Sequence, residues 1–117
     1  GNQTQPAFFY LFDQTFSTPA RLGDGPYHTT ELLYLFKHMD GEFFSATDEE
    51  RLVAHHMADY WTTFAARGDA VAPQGLTVWE PYDAAVRNYL RIRPAPINEA
   101  ALRDEQCAFW DRVRESQ

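Results

Sequence analysis

His28 closes a Gly- and Pro-bearing stretch, Asp24-Gly25-Pro26-Tyr27-His28, and leads directly into the apolar run Leu32 to Phe36. A neutral imidazole with an unperturbed pKa of about 6.5 is the natural general base near neutral pH. A loop that follows a central strand can bring such a base over the strand ends, where α/β sheets place their sites. The bland alternative is a histidine that only caps its loop. Glu31, three residues on, is the next polar group, and its expected role is to satisfy backbone amides of the turn after His28.

The remaining titratable groups suggest less. His55 and His56 are adjacent on a predicted helix, so they point about 100° apart and do not share a metal ion. His55 and Asp59 have the four-residue spacing of a surface pair. There is no His-Glu-x-x-His pattern, no cysteine pair and no Gly-rich phosphate loop, so neither a metal nor another cofactor is expected. The serines are Ser17, Ser45 and Ser116. None lies in the G-x-S-x-G context that exposes a nucleophile at a strand-to-helix turn. Where such an elbow occurs the triad order is Ser, then acid, then His, so a chain holding only such a histidine is expected to be the C-terminal segment of its domain.

The elements that would position His28 are readable in outline. Ala7 to Phe12 is a continuous apolar run with the length and aromatic content of a strand. Its lack of alternation suggests a strand covered on both faces, as in the middle of a parallel sheet. Gln14 to Tyr27 reads as loop, Glu31 to Met39 as a short buried helix or turn, and Asp40 to Ala46 as a second loop. Thr47 and Glu50 form a capping box for a long helix. Its apolar face is Val53, Met57, Tyr60, Trp61 and Phe64, and Arg67 and Gly68 end it. Asp69 to Thr77 is a further loop, and Trp79 to Tyr82 an extended turn. Asn88 to Arg93 alternates as a strand near a sheet edge, broken by Pro94 and Pro96. Asn98 is placed to cap a last helix with the stripe Leu102, Phe109, Trp110 and Val113. Only one good strand candidate thus accompanies the apolar run, which suggests a piece of a larger sheet.

The chain has 117 residues, enough for one small domain, and a formal charge of −7. That balance disfavours nucleic acid and anionic membrane surfaces as partners. No apolar run of about 18 residues is present, so no membrane insertion is expected. Cys107 is the single cysteine and fixes no redox compartment. Asn2-Gln3-Thr4 fits the glycosylation acceptor pattern, a tripeptide common by chance.

Five ordered motifs resemble the type-B carboxylesterases, the cholinesterase-like branch of the α/β-hydrolases. Phe9-Tyr10-Leu11-Phe12-Asp13 is similar to that family's late central strand. His28-Thr29-Thr30-Glu31-Leu32-Leu33-Tyr34-Leu35-Phe36 is similar to its His-x-x-Glu-Leu-x-Tyr-x-Phe segment. Tyr60-Trp61-Thr62-Thr63-Phe64-Ala65-Ala66-Arg67-Gly68-Asp69 resembles its Tyr-Trp-x-x-Phe-Ala-x-x-Gly-Asp helix. Trp79-Glu80-Pro81-Tyr82 with Tyr89-Leu90, and then Cys107-Ala108-Phe109-Trp110-Asp111, resemble its later strand and final helix. Family members commonly have glycine directly after the motif histidine, where Thr29 stands here.

The resemblance implies an α/β fold: residues 1–117 as the C-terminal part of one α/β-hydrolase domain, with its last sheet strands plus a long and a terminal helix. It implies that His28 is the catalytic-triad histidine of a serine carboxylesterase acting on small carboxylic esters, with serine and acid supplied by an upstream part of the same domain. Without them, the isolated segment is expected to be inactive. The alternative is a non-catalytic, neuroligin-like binding or adhesion relative. A homodimer through the C-terminal helices is a further expectation. Cys107 would either pair with a cysteine upstream or remain an unpaired buried thiol.

Overall fold

The computed structural model describes residues 5–15, 28–41, 45–68 and 73–116. The loop readings over 16–27, 42–44 and 69–72, and the glycosylation tripeptide, lie outside the described residues. In chain order the elements are β1 (Tyr10–Phe12), α1 (Thr30–Leu35), α2 (Asp48–Arg67), β2 (Asn88–Ile92), β3 (Ile97–Ala100) and α3 (Asp104–Glu115).

The strands form one sheet in the order β1-β2-β3. β1 runs parallel to β2, with Leu11 opposite Arg91 and Phe12 opposite Ile92. β2 runs antiparallel to β3, with Leu90 opposite Asn98. A parallel pair needs a crossover, and α1 and α2 lie within it.

One strand expectation is corrected here. β2 sits in the middle of the described sheet and is buried along most of its length, not near an edge. The apolar run supplies the three-residue strand β1, whose second edge is unpaired among the described residues, and Tyr10 and Phe9 are partly exposed, as expected of a piece of a larger sheet. β2 has its inner place because of β3, a strand the sequence pattern hides. Pro94 and Pro96 do not end the sheet; they lie where the chain reverses between β2 and β3, a place that suits a fixed φ and a missing amide donor. Asn98 is a β3 residue, not a helix cap, and its side-chain Nδ2 donates to the Val78 carbonyl at 2.8 Å.

The long helix follows its capping signals. Thr47 Oγ1 accepts from the Glu50 amide at 3.2 Å, and Glu50 Oε2 accepts from the Thr47 amide at 2.6 Å. At the other end Gly68 adopts φ 73° and donates to the Phe64 carbonyl at 2.8 Å. The helix buries Val53, Ala54, Met57 and Tyr60 against Leu90 and Ile92 of β2, Trp79, and Tyr34 of α1. Trp79 joins this core to the strand run, because its Nε1–H donates to the Phe9 carbonyl at 2.8 Å.

The terminal helix departs from expectation in its packing. α3 has no buried residue, and Phe109 and Trp110 are 50% and 64% exposed. The described residues thus leave much of its apolar stripe uncovered. Cys107 is a free, exposed thiol rather than a buried one.

Candidate functional site

His28 lies exposed in the turn that opens α1. Thr29, the residue after it, has φ 72° and ψ 0° and occupies the N-cap position with no side-chain cap bond. That left-handed backbone is costly for a β-branched residue and free for glycine. It gives a physical reason for the glycine that commonly stands beside the family's motif histidine.

A six-residue helix has little stability of its own, so α1 depends on its packing. Tyr34 is fully buried and meets the Phe12 ring edge-on at a centroid distance of 5.0 Å. Burial, followed by the charges of Glu50 and Glu49, pushes the Tyr34 hydroxyl well above the usual tyrosine range. The C-terminus is a Schellman turn. The Lys37 amide donates to the Tyr34 carbonyl at 3.1 Å, the His38 amide donates to the Leu33 carbonyl at 2.8 Å, and Lys37 has φ 55°. Beyond it, Asp40 accepts two bonds from the Arg51 guanidinium, each 2.7 Å, which ties the chain after α1 to α2.

Glu31 is partly buried in the first turn of α1. Its charge contributes, after burial, to raising the Tyr10 hydroxyl. The Leu32 amide donates to the Thr29 carbonyl at 3.1 Å rather than to the Glu31 carboxylate. The other histidines do not join His28. His38 is exposed, and His55 Nδ1 lies 3.4 Å from Lys37 Nζ. Asp59 acts electrostatically on His56 rather than pairing with His55 at the four-residue spacing. Among the described residues no three His, Cys, Asp or Glu side chains gather as a metal site.

The sheet face turned away from α2 holds a network that sequence reasoning missed. Arg91 Nε donates to Asp13 Oδ2 at 2.7 Å, and a second guanidinium nitrogen lies 2.5 Å from the same oxygen. Its third nitrogen donates to Glu99 at 3.0 and 3.3 Å. The Tyr89 hydroxyl donates to Glu99 at 2.7 Å. The Tyr89 bond first, and then the Arg91 bond, hold the Glu99 carboxyl below its ordinary value of 4.5. The only sequence signal was the alternation of Tyr89 and Arg91 away from Leu90 and Ile92. The partner in β3 was unseen because that strand was unseen.

The family model described as the carboxylesterase family matches residues 2–110. The chain belongs to that family. It is 28% identical over 109 residues to the acetylcholinesterase of Bungarus fasciatus, covering 89% of this chain and 18% of that protein. It is 33% identical over 90 residues to carboxylesterase 5A of Mus musculus, covering 71% of this chain and 15% of that protein. It is 30% identical over 91 residues to the acylcarnitine hydrolase of Rattus norvegicus, covering 74% and 15%. Among solved structures, PNB esterase superimposes with a TM-score of 0.72 at 24% identity, over 88% of this chain and 21% of that one. This carboxylesterase-family chain has the strands and helices of a C-terminal part of the α/β-hydrolase fold. It spans about a fifth or less of the length of the curated relatives it matches.

Proposed function

We propose that residues 1–117 are the histidine-bearing part of a serine carboxylic-ester hydrolase, lying within one α/β-hydrolase domain. The supporting observation is the His28-x-x-Glu31-Leu32 motif, which lies within the stretch matched by the carboxylesterase family model and opens a helix anchored in the core by Tyr34. In this reading a serine from another part of the domain attacks the ester carbonyl while His28 takes its proton. His28 then returns the proton to the leaving alcohol, and water releases the acyl group by the same shuttle. An acidic side chain elsewhere orients the imidazole, and backbone amides elsewhere hold the oxyanion. The substrates are small carboxylic esters.

The test is hydrolysis of a short-chain aryl ester by the whole gene product. His28→Ala lowers turnover by roughly 10³-fold or more with the fold intact. Unchanged turnover would remove His28 from the reaction, and an inactive wild type with a bound protein partner would favour an adhesion role. Residues 1–117 alone hydrolyse no ester.

The same reading includes a homodimer through the C-terminal helices, supported by the exposed Phe109 and Trp110. Trp110→Glu shifts the sedimentation of the whole protein from dimer to monomer if α3 forms that contact.

A further inference from the structure

Resting on the hydrolase reading, we propose that Arg91 is a positioning residue for His28. β1 is only three residues long and pairs with β2 in the parallel arrangement, which is slightly the weaker per residue. Its end would be expected to open readily. Yet that end supports the site. Adjacent strand residues face opposite sides, and the last residues here serve both. Phe12 supports Tyr34, and through it α1 and the turn holding His28. Asp13 faces Arg91.

Arg91 is suited to fixing that end. Two of its nitrogens hold one Asp13 oxygen, while the Asp13 amide extends the ladder by donating to the Ile92 carbonyl at 3.0 Å. The guanidinium has little freedom, because Glu99 holds its far side and Tyr89 holds Glu99. Asp13, Arg91 and Glu99 thereby link all three strands. An isolated exposed ion pair contributes little. A planar cation gripped by two carboxylates also has geometric specificity, which a lysine does not reproduce. The link from Arg91 runs through Asp13 and Phe12 to Tyr34 of α1, the helix whose opening turn carries His28.

The experiment uses the whole gene product with labelled histidine, the His28 ring resonance being assigned by its loss in His28→Asn. Arg91→Met displaces the His28 resonance and lowers kcat roughly tenfold, with KM within about twofold, because a small misplacement of a catalytic group acts on the chemical step. Arg91→Lys recovers part of both. If Arg91→Met does not fold, Glu99→Gln, which frees one side of the guanidinium, gives the same displacement at smaller size. An unmoved His28 resonance in a folded Arg91 or Glu99 variant overturns the inference. If His28→Ala retains activity, the hydrolase reading fails instead, and the resonance still decides whether Arg91 positions the ring.

Discussion

The Tyr60 hydroxyl donates to the Thr77 carbonyl across 2.5 Å and so joins the middle of α2 to the chain that leads toward β2. The Thr77 hydroxyl in turn donates to the Pro96 carbonyl at 2.7 Å, which extends the link to the β2–β3 reversal. Burial pushes the Tyr60 hydroxyl up to about 12, so it stays a donor at any working pH. Tyr60→Phe keeps the ring in the core and leaves the Thr77 oxygen without this donor. The expected loss is about 1–2 kcal/mol in a denaturant titration. A loss below about 0.3 kcal/mol would mean that water replaces the hydroxyl without cost.

Thr29 and Lys37 bracket α1, and both hold left-handed backbone. Such a backbone costs an L-residue about 1–2 kcal/mol relative to helix, and glycine escapes that cost. Glycine gives back about 0.5–1 kcal/mol of chain entropy. Thr29→Gly is therefore more stable than Thr29→Ala by about 1 kcal/mol, and Lys37→Gly exceeds Lys37→Ala by a similar margin. Equal unfolding midpoints within either pair would show that the left-handed turn is not kept in solution.

What the sequence disclosed follows the range of the interactions involved. The Thr47–Glu50 box and the Gly68 stop were legible because their chemistry is contained within one helical turn. The His28 segment was legible as a motif, since residue type and spacing are local facts. Its support was not legible: Tyr34 on Phe12 and Trp79 on Phe9 join residues far apart in the chain, and nothing in their spacing announces the pairing. β3 was misread because Pro94, Pro96 and Asn98 are strong local signals for a break and a cap, and the pairing with β2 overrode them. The stripe on α3 was legible, but burial depends on a facing surface, and the described residues leave much of Phe109 and Trp110 uncovered.

The capping box can be tested one half at a time. Thr47→Ala removes an exposed cap that accepts from Glu50, at an expected cost of about 1 kcal/mol. Glu50 is nearly fully buried and accepts from the Thr47 amide at 2.6 Å. Glu50→Ala both frees that amide and empties buried space, so it costs about 2 kcal/mol or more. A larger loss for Thr47→Ala than for Glu50→Ala would contradict the burial assigned to Glu50.

His56 makes stability sensitive to mild acid. Its Nδ1 is buried with no hydrogen-bond partner among the described residues. Burial lowers its pKa below the ordinary 6.5, the Asp59 charge opposes the shift, and the neighbouring His55 adds to it. The unfolded chain therefore takes up the proton first as pH falls. The contribution from His56 is complete above about pH 6.5 and is lost as pH falls through the lower folded value. Carboxylates held down by hydrogen bonds act in a different window: Asp40, lowered first by its Arg51 bond, and Glu99, lowered first by its Tyr89 bond and then by Arg91, keep their contributions until the pH falls below about 4. Denaturant midpoints at pH 7.5, 6.5 and 5.5 thus decline in the wild type and decline less in His56→Gln, which has no proton to take up. Parallel declines in the two proteins would show that His56 titrates alike in the folded and unfolded chains.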